Sequence, residues 1–568
     1  MLRDGQRVAL IPKAVDLLAV LLAEAGRVVS KDRLLEAVWP DAFVQEGNLS
    51  KLVFLLRKEV DSDPESGQIQ TVSKRGYVFT GAVRELTAAP AESDSIGSDT
   101  IAVLPFTTSG TAAPHLGESV AEEVIVALAR AGTLSVVART SSFRFAGREI
   151  DLREIGNRLR VATVVEGSVR VDGDRVRVNA ALVDARTFFQ RWSRTFECER
   201  SALATIPDAI GTAISQVLSP VDAAQARTSQ NGSDSGNAAR GALGRQRHIV
   251  DARAYDLYLQ GRYFWNRRPG EATWRALECF EEAARLAPEF AEAWAGIADV
   301  YSTLGSWEAG VLPHDEAQQK ARAFAERALA LDPHLAEAQT TLAYTALHYG
   351  WDPAAAEAGF AGALRENPAY AAAHHWHSHA LIASGRVSES LVASRLALAH
   401  DPMNILLTAH LSWHHHMARE PELALEQARR VIRLEPHFHW GHYFLSWALE
   451  AAGDLSGAVD AARAAARCME GNPVMRALVG RACAVAGDGD AARSVAESIA
   501  RQDEGFGRYG YEVALIHLGL GDADRALDLL GRARDRRSGW MVYLHVDPRL
   551  DPLRPDPRFI ELVPVRLS

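Results

Sequence analysis

Residues 48–60 read Asn48-Leu49-Ser50-Lys51-Leu52-Val53-Phe54-Leu55-Leu56-Arg57-Lys58-Glu59-Val60, and residues 68–80 read Gln-Ile-Gln-Thr-Val-Ser-Lys-Arg-Gly-Tyr-Val-Phe-Thr. In the first stretch Leu49, Val53, Leu56 and Val60 recur at steps of three and four, so they fall on one side of a helix and predict its core face. Asn48, Ser50, Lys51, Phe54, Leu55, Arg57 and Lys58 occupy the remaining positions. The second stretch holds two short β-prone runs, 68–72 and 77–80, joined by Ser73-Lys74-Arg75-Gly76. Gly76 supplies the conformational freedom of a tight turn, and Lys74 with Arg75 makes the tip of the hairpin basic.

Upstream the pattern continues. A short strand pair is expected around residues 3–10. Pro12 suits the first turn of a helix reaching residue 25, with Val15, Leu18, Leu21 and Leu22 on one face. Ser30 is placed to cap a second helix over 31–38, closed by Trp39-Pro40. Three helices followed by a hairpin with a basic tip is the order of a winged helix, which lays its third helix in a major groove and its hairpin on the adjacent backbone or minor groove. Val29-Ser30, Leu34, Val38-Trp39, Asn48-Leu49-Ser50-Lys51, Leu56-Arg57-Lys58, Thr71-Val72 and Gly76-Tyr77-Val78-Phe79 resemble the OmpR/PhoB-type winged-helix family, in particular members without a receiver domain. The resemblance covers nearly all of residues 1–83. It implies that Asn48, Ser50, Lys51, Phe54, Leu55, Arg57 and Lys58 read double-stranded DNA, supported by Thr71, Ser73, Lys74 and Arg75 on the hairpin.

Two departures from that family pattern carry expectations of their own. Members usually have additional strands before the first helix, and Met1 falls partway through that sheet, so the natural product is expected to start upstream. Phe54 and Leu55 stand where many members place basic residues. They can touch thymine methyls but cannot form the bidentate guanine contacts of an arginine. Residues 1–84 hold 12 Lys/Arg against 11 Asp/Glu, a balance of +1. Non-specific affinity is therefore expected to be modest, which favours binding as a homodimer or at several sites.

Residues 86–98 and 219–247 are small and polar with little periodicity, as linkers are. They divide the chain into 1–84, a linker at 85–98, a domain at 99–218, a linker at 219–250 and a domain at 251–568. In the middle domain, strands are expected at 101–106, 134–138, 163–169 and 176–184 and helices at 118–131 and 152–159, with a tight hairpin at Asp172-Gly173-Asp174. With Ala138-Arg139-Thr140-Ser141-Ser142-Phe143 and Glu166-Gly167-Ser168-Val169, this α/β segment resembles the TolB-like domain of bacterial regulators. The resemblance implies an interaction or scaffold role.

The last domain repeats. Pro288, Pro333, Pro368, Pro402, Pro436 and Pro473 close successive units at intervals of 45, 35, 34, 34 and 37 residues, and the longest interval holds an insertion at 306–314. Ten residues beyond the first five prolines stand Ala298, Ala343, Ser378, Ser412 and Ser446, small enough for paired helices to approach. A helix-turn-helix period of 34 residues is the tetratricopeptide signature and predicts an all-α superhelix. Positions 7 and 11 beyond each proline include Tyr344, His375, His379, Trp413, Tyr443 and Trp447, with His416 and Trp440 close by. They predict an aromatic and imidazole band along the concave groove, open to a protein or peptide partner.

Composition narrows the remaining classes. A chain of 568 residues exceeds one core, and 48% apolar content supports folding. The formal charge of −10 argues against coating nucleic acid along the whole length. No apolar run suits a bilayer, and the start lacks the apolar centre of a signal peptide. Cys198, Cys279, Cys468 and Cys483 lack metal or framework spacing, as expected in a cytoplasmic protein. His375 and His379 lie four apart and could chelate, but no cysteine or carboxylate completes a set at helical spacing, so no metal is expected. Walker loops, zinc-protease pairs and nucleophile elbows are absent, and Glu122-Glu123 reads as helix surface. No catalysis or cofactor is expected. The sequence thus predicts a DNA-binding transcriptional regulator whose repeat array senses or recruits a protein. The alternative is an interaction scaffold whose winged helix has lost specific DNA binding.

Overall fold

A computed structural model describes residues 2–3, 6–7, 12–38, 46–60, 67–73, 75–81, 97, 99–147, 150–218, 251–267, 270–305, 312–503 and 508–564. The chain forms two compact units, Met1–Ser95 and Ile96–Ser568. Residues 219–250, most of 85–98 and residues 306–311 of the expected insertion lie outside the described residues.

In the first unit β1 (Leu2–Arg3) pairs antiparallel with β2 (Gln6–Arg7), and helices α1 (Pro12–Ala23), α2 (Lys31–Val38) and α3 (Glu46–Val60) follow. A three-stranded sheet is built from β3 (Val29–Ser30), β4 (Ile69–Val72) and β5 (Gly76–Phe79), with β5 central. Leu17, Leu21, Leu34, Leu49, Leu56 and Ile69 form the core. On α3 the expected Leu49, Val53 and Leu56 are buried, whereas on α1 Leu17 joins Leu18 and Leu21 and the expected Leu22 is only half-buried. Gly76 is required by space as well as conformation. A β-carbon there would lie 1.9 Å from the Val29 carbonyl oxygen across the β3–β5 pair.

The second unit opens with a six-stranded sheet of β6 (Thr100–Val103), β7 (Thr107–Gly110), β8 (Ser135–Val136), β9 (Thr163–Asp172), β10 (Arg175–Asp184) and β11 (Gln190–Glu199). Its order is β11-β10-β9-β6-β8, with β7 also paired to β9. β9 and β10 form the expected hairpin, in register from Asp172↔Arg175 to Thr163↔Asp184. Ile101, Val103 and Val165 point toward α4 (Leu116–Arg130) and, farther along, the helix Ile206–Leu218. Ala102 and Val164 face the opposite side, where Ile155 and Leu159 of the helix Leu152–Leu159 pack.

Helices then alternate from Ala252–Trp265 to Ala523–Asp535 as antiparallel pairs, the tetratricopeptide-like arrangement. The small residue of each unit does what its position suggests. Ser412 and Ser446 are buried and donate to the carbonyls of Ala424 and Ala458, at 2.8 and 2.9 Å, on the paired helix. The sheet and the first helical pairs share one core, in which Val165 and Ile210 join Tyr258, Phe280 and Ile297. Glu122 and Glu123, read from the sequence as helix surface, are instead buried in this seam. Glu122 accepts from Arg262 and Asn266 and pairs with Arg139, while Glu123 accepts from the Tyr258 hydroxyl. Arg262, Asn266 and Tyr258 arrive from 135 to 144 residues away, which a local reading of α4 does not reveal.

Candidate functional sites

The DNA-facing candidate is the outer side of α3. Leu49, Leu52, Val53 and Leu56 are buried, whereas Ser50 and Lys51 are exposed and Phe54 is 69% exposed. Ser50, Lys51 and Phe54 share one face through three- and four-residue spacing. Thr71, Ser73 and Arg75 are exposed on the hairpin. The side chains of Asn48, Leu55 and Lys58, and residue Lys74, lie outside the described residues. Arg57 is half-buried: its Nε donates to the Ile69 carbonyl at 2.9 Å and its Nη2 to Thr71 Oγ1 at 2.9 Å. It braces α3 against the hairpin. Ser50 Oγ and Tyr77 Oη, 3.5 Å apart, form a second link.

The repeat groove corrects one expectation. Tyr344, His375, His379, Trp413, His416, Trp440, Tyr443 and Trp447 are all buried, rather than presented to solvent. The reason is an occupant within the chain. The 3-10 turns Gly539–Tyr543 and Pro548–Leu553, which follow the last repeat helix, contribute residues to this band. The Trp540 ring lies 6.3 Å from Trp413 and 5.9 Å from Trp447, centroid to centroid, and is stacked on Tyr511. Tyr543 lies 5.2 Å from Trp413. Arg419 and Asp551 pair at 2.6 Å at the edge of this closure. Periodicity is silent on what covers these residues.

Beside the closure a cavity of about 340 Å³ remains, bounded in part by Trp376, Trp413, Trp440, Trp540, His379 and His410. His375 and His379 on helix Ala371–Ala383 meet His410 on helix Ile405–Met417, their ligand atoms all within 4.8 Å of one another. Sequence spacing supplies the first two; the third comes from the next repeat, 31 residues beyond His379. Burial holds His375 and His379 well below the ordinary imidazole range and takes His348 down to about 3, so these rings are neutral. Nearby, burial works against the charge of Asp547, yet the Arg549 guanidinium keeps that carboxyl below its usual range. Burial pushes Glu512 up to about 7.

Residues 5–79 match the family model described as "Transcriptional regulatory protein, C terminal". The N-terminal unit is an OmpR/PhoB-type winged helix. Over longer stretches of the chain the likenesses are more distant. The chain is 22% identical over 337 residues to the transcriptional regulator HilA of Salmonella typhi, an alignment covering 58% of this chain and 56% of HilA. It is 27% identical over 247 residues to putative adenylate cyclase 3 of Rhizobium meliloti, covering 43% of this chain and 39% of that protein. The chain thus spans about half the length, or less, of these curated relatives. Among solved structures, pilF of Pseudomonas aeruginosa aligns over 37% of this chain and 92% of its own, at 21% identity and TM-score 0.29. Among the described residues no helix is long and apolar enough to cross a membrane. One unit is thus a winged helix, and the other holds a sheet domain and a tetratricopeptide-like array against which its own C-terminal turns pack.

Proposed function

We propose that the chain is a one-component transcription regulator acting in the cytoplasm without catalysis, with double-stranded DNA as the partner of its winged helix. The exposed Ser50–Lys51–Phe54 face, with Thr71, Ser73 and Arg75 exposed on the hairpin, carries this reading. Lys51 contacts phosphate with Ser73, Lys74 and Arg75, while Asn48, Ser50, Phe54, Leu55 and Lys58 approach base edges or the backbone. Arg57 and Thr71 set the angle between helix and hairpin. The near-balanced charge of residues 1–84 favours a homodimer on DNA, where two weak modules act together.

The repeat array receives a protein or peptide partner that competes with the chain's own C-terminal segment, and the TolB-like sheet relays the result. The partner's anchors would occupy the places of Trp540 and Tyr543 against Trp413 and Trp447. Mobility shift of the full chain on the promoter of its own operon, over a salt series, tests the DNA reading. Saturable binding with a log–log salt slope of several units supports it. Absence of any shift at low salt rejects it in favour of a scaffold whose winged helix no longer binds DNA.

A further inference from the structure

We propose that His375, His379 and His410 form a binding site for one divalent transition-metal ion of borderline softness, best suited to zinc, with the fourth position open to the cavity. Three neutral imidazoles without thiolate or hard oxygen ligands select zinc and its neighbours over magnesium or calcium.

The geometry fits an ion of that size. With metal–nitrogen bonds of about 2.0–2.1 Å at tetrahedral angles, three imidazole centroids lie roughly 5 Å apart. Here they are 4.7 Å (His375–His379), 4.8 Å (His375–His410) and 5.1 Å (His379–His410) apart. His375 Nε2 is buried without a hydrogen-bond partner, an expensive state for an imidazole nitrogen unless something else satisfies it. His379 Nε2 and His410 Nδ1 approach to 3.1 Å.

A hydrogen-bond chain fixes which nitrogen of His379 is free to ligate. The Tyr344 carbonyl can only accept, so His348 Nδ1 donates to it, at 3.2 Å. His348 Nε2 then accepts from the Tyr543 hydroxyl at 3.1 Å. The Tyr543 oxygen in turn accepts from His379 Nδ1 at 3.2 Å. This leaves the lone pair of His379 on Nε2, aimed at His410. Tyr543 is thus a positioning residue, playing the part that outer partners of metal-bound histidines play. The nearby His414 is excluded from the set because both its nitrogens are engaged, by Ser378 and Ser390. His379 and His410 belong to the cavity wall, which leaves water or a small anion as fourth ligand. Because Tyr543 belongs to the segment that closes the groove, an ion here tightens that closure.

The test uses the tag-free full chain, dialysed against a chelator and titrated with Zn(II) and Co(II). One ion per chain is expected, and Co(II) should give the intense visible absorption of a tetrahedral site. His375→Gln and His410→Gln should each weaken binding at least about 100-fold, and Tyr543→Phe about 10- to 100-fold with stoichiometry unchanged. An exposed-site control, His437→Gln, should bind as the parent does. If a core variant fails to fold, zinc-edge X-ray absorption on the unmutated chain decides alone. A four-coordinate shell with three imidazoles is required. Binding below one equivalent, a six-oxygen shell, or undiminished affinity in a folded His410→Gln chain overturns the site.

Discussion

The guanidinium of Arg549 lies 3.3 Å from the centroid of the Trp447 ring, and its Nη2 also donates to Asp547 at 2.6 Å. Arg549 and Asp547 are both buried, and Asp547 accepts in addition from the Tyr511 hydroxyl at 2.7 Å. Removing the cation strands a buried carboxylate. Arg549→Met should destabilise the chain by about 3–5 kcal/mol in urea unfolding, and Asp547→Asn with Arg549→Met should recover part of that loss. A double variant no more stable than the single one would show that the ion pair does not hold the segment.

The closure of the groove should be reversible in trans. A chain ending at residue 537 leaves Trp413 and Trp447 without Trp540, so their emission should become quenchable and a synthetic peptide of residues 538–556 should bind one-to-one. The intact chain should not bind that peptide. Equal binding to both chains would mean that the peptide docks elsewhere.

Lys51 and Arg57 should separate in their effects. Lys51→Ala should weaken DNA binding and lower the salt slope by about one, with stability changed by less than about 0.5 kcal/mol. Arg57→Ala should also destabilise the first unit, by roughly 1–3 kcal/mol, because the Ile69 carbonyl and Thr71 lose a charged donor. Arg57→Lys should not restore the loss, since one ammonium cannot reproduce the fork. Identical behaviour of the two alanine variants by calorimetry and anisotropy would remove the distinction.

Glu512 should make the array sensitive to pH. Burial raises its carboxyl from 4.5 to about 7 despite Arg549 nearby, and Asp503 pushes the same way. Tyr443, Tyr509 and Tyr511 share its surroundings. Between these pH values the unfolded chain releases the proton while the folded chain keeps it, so stability falls as pH rises from about 4.5 to 7 and the loss persists above. Glu512→Gln should match the parent near pH 4 and exceed it above pH 7, by up to about 3 kcal/mol. A parallel pair of stability curves would contradict this assignment.

What could be read from the sequence followed the range of the interactions. Helices α1–α3 and the hairpin carry their fold in local periodicity and turn chemistry, and so do the repeats. Strand β11 could not be found that way: as an edge strand it exposes most of both faces, and only Phe196 is buried. Periodicity groups the band from Tyr344 to Trp447, yet its burial involves residues 539–553, about a hundred positions or more downstream of most of it. His410 escaped notice for the same reason. Spacing of four marks a pair on one helix, whereas a third ligand on a neighbouring repeat requires the superhelical stacking itself. Glu122 reads as surface because one of its two cations, Arg262, lies 140 residues away and the other, Arg139, lies beyond the helix that carries it.

A solenoid ordinarily tolerates gain or loss of a repeat, because each unit answers only to its neighbours. This one is tied across its length. Tyr543 reaches back 195 residues to His348, Arg508 donates to Leu312 across 196, and Ser141 of the sheet domain meets Asp401 across 260. Such ties convert an open-ended stack into a ring of mutual constraints. Duplication or deletion of one 34-residue unit would carry every downstream anchor past its mate. In this chain the number of repeats is thus part of the tertiary structure, since the ties hold only at one spacing.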